Sequence, residues 1–202
     1  MKLTRRSFAV LCLASVAPVP GQAAEILSLD RISGYLNGLA SVRSAFTQIN
    51  SDGTISTGTL YMRRPGRMRF EYDPPETALV LAGAGQLAIF DGKSNQAPEQ
   101  YPLWRTPLHL ILKRRVDLGE ETMVVSHVFD GIATSVSLQD RRRPDRGTIR
   151  LVFSGPPVEL RQWVITGSDG TETTVVLGDL DKDIELAASL FNIALEVEKW
   201  KR

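Results

Sequence analysis

Beyond residue 40 the apolar residues of this chain recur at every second position, in short runs separated by Asp-Gly pairs, and that pattern limits the fold more than any other feature. Alternation at period two gives a strand one dry face, and Asp-Gly suits the tight turns of hairpins. Arg67 to Tyr72 is the clearest case, with Met68, Phe70 and Tyr72 on one face and Arg67, Arg69 and Glu71 on the other. The dry side of this strand is assigned to the first set and the wet side to the second. Segments of strand character follow at Ala78–Leu81, Leu87–Phe90, Met123–Val128, Ile132–Leu138, Thr148–Phe153, Leu160–Thr166 and Thr171–Leu177. Asp52-Gly53, Asp91-Gly92, Asp130-Gly131 and Asp169-Gly170 stand 39 residues apart, but the residues around them do not match at that period, so no repeat is inferred. So many short strands with tight turns predict a curved antiparallel sheet, a barrel or a sandwich.

Two stretches break the alternation. Ile26, Leu29, Ile32, Leu36 and Leu39 recur at three- and four-residue steps, which predicts an amphipathic helix over Glu25–Leu39. Gly34 and Gly38 weaken its propensity, so tertiary packing is expected to hold it. Leu103–Leu112 is unusually apolar and contains Thr106-Pro107, a sequence suited to starting a helix at proline. Asp183–Ser189 reads as a short helical turn, and Leu190–Val197 as extended chain whose Glu196, Glu198 and Lys199 discourage strand addition at a sheet edge.

The first 24 residues read differently from the rest. Lys2, Arg5 and Arg6 precede an apolar stretch, Phe8–Val19, and Gly21-Gln22-Ala23 offers a small-residue cleavage site, so 1–24 is expected to be a removable export signal. Thr4-Arg5-Arg6-Ser7-Phe8 also fits a twin-arginine signal. Residues 25–202 make one domain, and because Cys12 is the single cysteine, that domain has no thiol for a disulfide, metal site or nucleophile. It carries 21 basic against 23 acidic residues, which gives no indication of a nucleic-acid partner.

The remaining chemistry is thin. His109 and His127 lie near no serine nucleophile motif. Asp179, Asp181 and Asp183 imitate the start of a calcium loop, but Ile184 and Leu190 stand where the glycine and glutamate are required. Neither a catalytic residue, a metal ligand nor a cofactor is therefore assigned. Arg141-Arg142-Arg143-Pro144-Asp145-Arg146 and Lys113-Arg114-Arg115 read as solvated loops, with a docking surface as the alternative.

An ordered set of segments carries a family likeness. Phe46-Thr47-Gln48, Gly58-Thr59-Leu60 and Arg63-Arg64-Pro65-Gly66-Arg67-Met68-Arg69-Phe70-Glu71-Tyr72-Asp73-Pro74-Pro75 resemble the N-terminal half of the outer-membrane lipoprotein carrier family. Asp91-Gly92-Lys93, Thr106-Pro107-Leu108, Trp163 and Leu190-Phe191-Asn192-Ile193 extend the resemblance over most of the chain. It implies a mainly β fold with α, a strongly curved, incompletely closed antiparallel half-barrel under a helical lid, with an apolar cavity between. It also implies a periplasmic, non-enzymatic chaperone that accepts acylated lipoproteins from an inner-membrane ABC transporter and passes them to an outer-membrane acceptor, presumed monomeric.

By that resemblance Arg64 is the residue that ties sheet to lid through hydrogen bonds to helix backbone. Leu60, Met62 and Arg64 would share one strand face, so a concave face would carry a guanidinium that must find acceptors. The alternative is that the strand ends before Arg64 and leaves it exposed in a turn with Pro65. Leu60, Met62, Met68, Phe70 and Tyr72 are expected to line the cavity from the sheet, and Leu108, Leu110 and Ile111 from the lid; each could instead be ordinary core. A lipid- or lipoprotein-sensing half-barrel of an envelope-stress regulator and a small periplasmic hydrolase with scattered carboxylates stay open as alternatives.

Overall fold

The computed structural model describes residues 25–93, 96–119 and 123–200, so the expected signal in 1–24 lies outside the described residues. The alternating segments become the strands β1 (Ser41–Ile49), β2 (Ile55–Arg63), β3 (Arg67–Tyr72), β4 (Leu79–Gly83), β5 (Gln86–Phe90) and β6 (Glu99–Pro102). The second half adds β7 (Val124–Phe129), β8 (Thr134–Gln139), β9 (Thr148–Ser154), β10 (Glu159–Thr166), β11 (Glu172–Leu177) and the two-residue β12 (Asp181–Lys182).

All belong to one antiparallel sheet in the order β6-β5-β4-β3-β2-β1-β11-β10-β9-β8-β7, with β12 pairing the start of β1. Two meanders are joined where β1 meets β11, with Phe46 opposite Leu177. Register keeps the dry residues together: Leu60 faces Phe70, and Met62 faces Met68, across β2 and β3. Among the described residues β6 and β7 do not pair with each other, so the half-barrel stays open. A side-chain contact nevertheless links the two halves: the Arg146 guanidinium, in the turn between β8 and β9, lies 4.5 Å from the centre of the Trp104 ring just after β6. Asp140 holds that arginine at 2.9 Å.

The concave face is covered by α1 (Leu29–Gly38) and the single-turn α2 (His109–Leu112). α1 begins four residues later than the periodicity suggested, because the Ser28 side chain caps it by accepting a hydrogen bond from Arg31 N at 3.3 Å. Tertiary contacts hold α1, as its glycines required. Ile32 and Leu36 are buried, Ser33 Oγ accepts from Leu118 N, and Asn37 exchanges two hydrogen bonds with the Val116 backbone at 2.7 and 2.9 Å. The helix expected to start at Thr106-Pro107 is the single turn α2, and a 3-10 turn, Leu103–Arg105, precedes it.

The C-terminal segment contradicts the extended reading of Leu190–Val197. A 3-10 turn at Ala188–Phe191 leads into α3 (Ile193–Trp200), and Asn192 Oδ1 caps it by accepting from Leu195 N at 3.1 Å. Ile193, Glu196, Val197 and Trp200 recur at helical spacing, a signal masked by the β-branched residues among them. α3 lies on the convex face, where Ile193, Val197 and Trp200 pack over Leu79, Leu81 and Phe90 as a second apolar cluster.

This cover also overturns the assignment of Arg69 to a wet face. Arg69 is 7% exposed and donates to Glu71 at 2.6 Å, to Leu190 O at 3.1 Å and to Glu196 at 2.9 Å. Glu196 is not an edge charge in water but the buried partner of this arginine, with Lys199 3.4 Å away. Burial pushes the Glu196 carboxyl up, but the Arg69 hydrogen bond and charge outweigh it, so the net shift is downward. A depressed carboxyl pKa contributes stability that is present above the ordinary glutamate range and disappears as pH falls through the folded-state value. Amide exchange of residues 193–200 should therefore accelerate selectively below the ordinary glutamate range, and Glu196→Gln should remove that acid-linked step. Exchange that is insensitive to acid in the unaltered chain would show that the pair does not hold α3.

Candidate functional site

Seven of the eight residues expected to line the interior come together in one apolar cluster: Leu60, Met62, Met68 and Phe70 from the sheet, and Leu108, Leu110 and Ile111 from the lid. All seven are buried. Tyr72, the eighth, is half-buried at the margin of the cluster, and its hydroxyl donates to Gln48 Oε1 at 2.7 Å. Burial pushes the Tyr72 phenol up to about 12, so it is a neutral donor at any physiological pH.

The cluster is wider than the expected set. Phe46 stands edge-on to both Phe70 and Tyr72, each at 5.2 Å between ring centres, and Trp163 stands edge-on to Phe70 at 6.2 Å. Gly58, opposite Phe46 on β2, makes this possible, since a Cβ there would lie 2.8 Å from the Phe46 ring and 2.0 Å from Glu71 O. From the other meander come Val136, Leu138, Ile149, Leu151 and Phe153, all on concave positions of β8 and β9. Their alternation was as regular as that of β3. What no periodicity could reveal was that β11 pairs with β1 and brings both meanders onto one surface.

Arg64 sits where that surface meets the lid. β2 ends at Arg63, yet Arg64 is half-buried rather than exposed in the turn, because its own N–H donates to Ala40 O at 2.9 Å and fixes its backbone. Its Nη1 donates to Leu36 O in the last turn of α1, and its Nη2 donates to Lys113 O, just past α2, at 2.6 Å. A longer contact reaches Asn37 Oδ1 at 3.4 Å. One guanidinium thus joins the sheet to both covering segments, with the negative end of the α1 dipole facing the charge. Burial lowers its pKa, but an arginine stays charged at neutral pH. The turn itself adds one backbone bond, from Gly66 N to Leu112 O at 2.9 Å.

Each histidine ring meets a backbone carbonyl. A His109 Nδ1 contact reaches Thr106 O at 2.7 Å, and a His127 Nε2 contact reaches Leu27 O at 2.8 Å, tying the lid's approach and the chain before α1 to their surroundings. Among the described residues no group of three His, Cys, Asp or Glu side chains could hold a metal ion, and no helix is long and apolar enough to cross a membrane.

The open half-barrel thus has an apolar concave face covered by short helices that Arg64 ties to the sheet, and comparison with known proteins places the chain in a family. Residues 37–194 match the profile described as outer membrane lipoprotein carrier protein LolA, and the chain belongs to that family. Among relatives, the outer-membrane lipoprotein carrier protein of Pseudomonas aeruginosa (strain UCBPP-PA14) is 24% identical over 200 residues, covering 95% of this chain and 94% of its own. That of Nitrosomonas europaea is 23% identical over 207 residues, covering 94% of each. A solved LolA superfamily protein from Nitrosomonas europaea superposes with a TM-score of 0.45 at 9% identity, over 82% of this chain and 98% of its own.

The Arg64 geometry makes a local prediction. Each charge-assisted hydrogen bond is worth about 1.5–3 kcal/mol, so Arg64→Leu should loosen the lid by several kcal/mol while leaving the sheet intact. Amide exchange should then accelerate in the last turn of α1 and in residues 112–118, with β1 and β9 unchanged. Equal protection in the variant would mean that the lid is held by apolar packing alone.

Proposed function

We propose that this protein is a periplasmic carrier that receives acylated lipoproteins released from the inner membrane by an ABC transporter, holds their acyl chains against the concave face, and delivers them to an outer-membrane acceptor. The observation that carries the reading is the apolar concave surface closed by a lid that one arginine ties down from the sheet. Family membership supports lipoproteins as the cargo, and an export signal in 1–24 would deliver the chain to the compartment where such cargo travels.

A carrier must extract its cargo and also give it up. Burying an acyl chain of roughly fifteen methylenes is worth about 12 kcal/mol, enough to make release prohibitively slow if nothing opposed it. Breaking the Arg64 hydrogen bonds on loading subtracts from that gain, and remaking them on release returns the cost. Transfer then needs neither cofactor nor covalent step. Leu60, Met62, Met68, Phe70 and Tyr72 form the sheet wall in this reading, Leu108, Leu110 and Ile111 form the lid wall, and Arg64 is the latch. A single copy suffices, because both walls come from one chain.

Photocrosslinking side chains placed singly at Phe70 and Leu110 should capture an acylated lipoprotein, whereas one at Val176, exposed on the opposite face, should not. In the same assay Arg64→Leu should still load but hand over poorly, since the closed lid no longer competes with the cargo. Capture confined to Val176, or normal handover by the Arg64 variant, would contradict the assignment of the concave face or of the latch respectively.

A further inference from the structure

Most buried polar side chains of the concave interior have partners, among them Ser33, Ser44 and Thr134, but two buried donors meet no acceptor among the described residues, Arg64 Nε and Trp163 Nε1. Trp163 is 1% exposed, lies in the middle of β10, and is flanked in the sheet by Leu151 and Val175 with the Phe70 ring beyond. Its unpaired N–H gains the folded chain nothing over a phenyl ring, which would fill much of the same space without burying a polar atom. An unpaired buried N–H is a standing cost in the folded chain, and buried Trp N–H groups ordinarily find a partner. The two atoms also differ in what they can offer. Both terminal nitrogens of Arg64 are committed to the lid, so its guanidinium is occupied while the lid is closed. Trp163 has no other polar atom and no such commitment.

The proposed cargo has the complementary deficiency. An acyl group attached through an ester or amide brings carbonyl oxygens, which accept hydrogen bonds and would lose them to water on entering an apolar interior. A bare hydrocarbon brings none. Each orphan therefore satisfies the other when the ligand carries a carbonyl at the head of its chain, as an acyl ester or amide does, and an ether oxygen in its place is the weaker acceptor.

We infer that Trp163 Nε1 donates a hydrogen bond to the carbonyl oxygen of a bound acyl ester or amide, making Trp163 the residue that distinguishes acyl groups from other long alkyl chains. This rests on the carrier reading for the existence of an interior acyl site, and adds to it a chemical selectivity and a fixed depth for the carbonyl. The role is one of specificity, not catalysis.

Two probes of nearly the same shape separate these statements: 1-monopalmitoylglycerol, which has an ester carbonyl, and 1-O-hexadecylglycerol, the ether without it. Displacement of an environment-sensitive apolar dye from the protein should show the ester binding about two- to tenfold more tightly than the ether, the ratio expected of one net hydrogen bond. Trp163→Phe should bind both and lose the preference. In the unaltered protein the Trp163 indole N–H resonance, identified by its disappearance in Trp163→Phe, should move downfield with the ester and not with the ether, while those of Trp104 and Trp200 stay in place. Equal affinity for the two probes, or an ester preference that survives in Trp163→Phe, would overturn the role of Trp163 and leave the carrier reading standing. If neither probe displaces the dye from folded protein, the interior acyl site itself is refuted, and this inference with it.

Discussion

A charged guanidinium placed at the edge of an apolar surface has to find oxygen acceptors, and in this chain the acceptors are main-chain carbonyls of the two segments that cover the sheet. Arg64 reaches Leu36 O and Lys113 O from a single side chain. The arrangement depends on features scattered along the sequence: the β2–β3 turn that carries the arginine, the end of α1 where the Leu36 carbonyl accepts from Leu39 N and from Arg64 together, and the Lys113 carbonyl just past α2. These polar contacts are few, and they add to the apolar packing that Leu108, Leu110 and Ile111 share with the sheet. Apolar contact alone would scale with area and could not be released a bond at a time.

The two faces of the sheet are covered on different terms. α3 packs on the convex face over a compact apolar cluster and adds the Arg69–Glu196 pair. On the concave side the helices are short, and α2 is a single turn. Among the described residues there is no backbone pairing between β6 and β7 of the kind that closes a barrel, and the Arg146 contact with Trp104 links the two halves through side chains instead. An interior bounded by a brief lid and an unpaired seam can change volume at less cost than one enclosed by continuous hydrogen-bonded strands.

How much of this could be read from the sequence depended on the range of the interaction. Period-two alternation identified the strands that later form the concave wall, and Met68, Phe70 and Leu60 were assigned to the correct face because alternation is a local property. Arg69 shows where local reading fails. It alternates as a solvent-facing residue should, and only the folding back of α3 from more than a hundred residues away makes its position dry. α3 itself was misread because Ile193 and Val197 favour strands, while the helical spacing of Ile193, Glu196, Val197 and Trp200 counts a charged residue among the inward positions. Trp163 was visible as part of a family likeness, but its unpaired N–H is a property of its neighbours and has no signature in the chain.

The central claim, that the concave interior takes up the acyl chains of lipoproteins, is tested most directly by incubating the chain purified without residues 1–24 with energised spheroplasts of the source organism and probing the supernatant. The account predicts that acylated lipoproteins leave the membrane in complex with this protein, in a manner that requires both ATP and the protein. Supernatants without lipoprotein, from a preparation whose fold is verified, would contradict it.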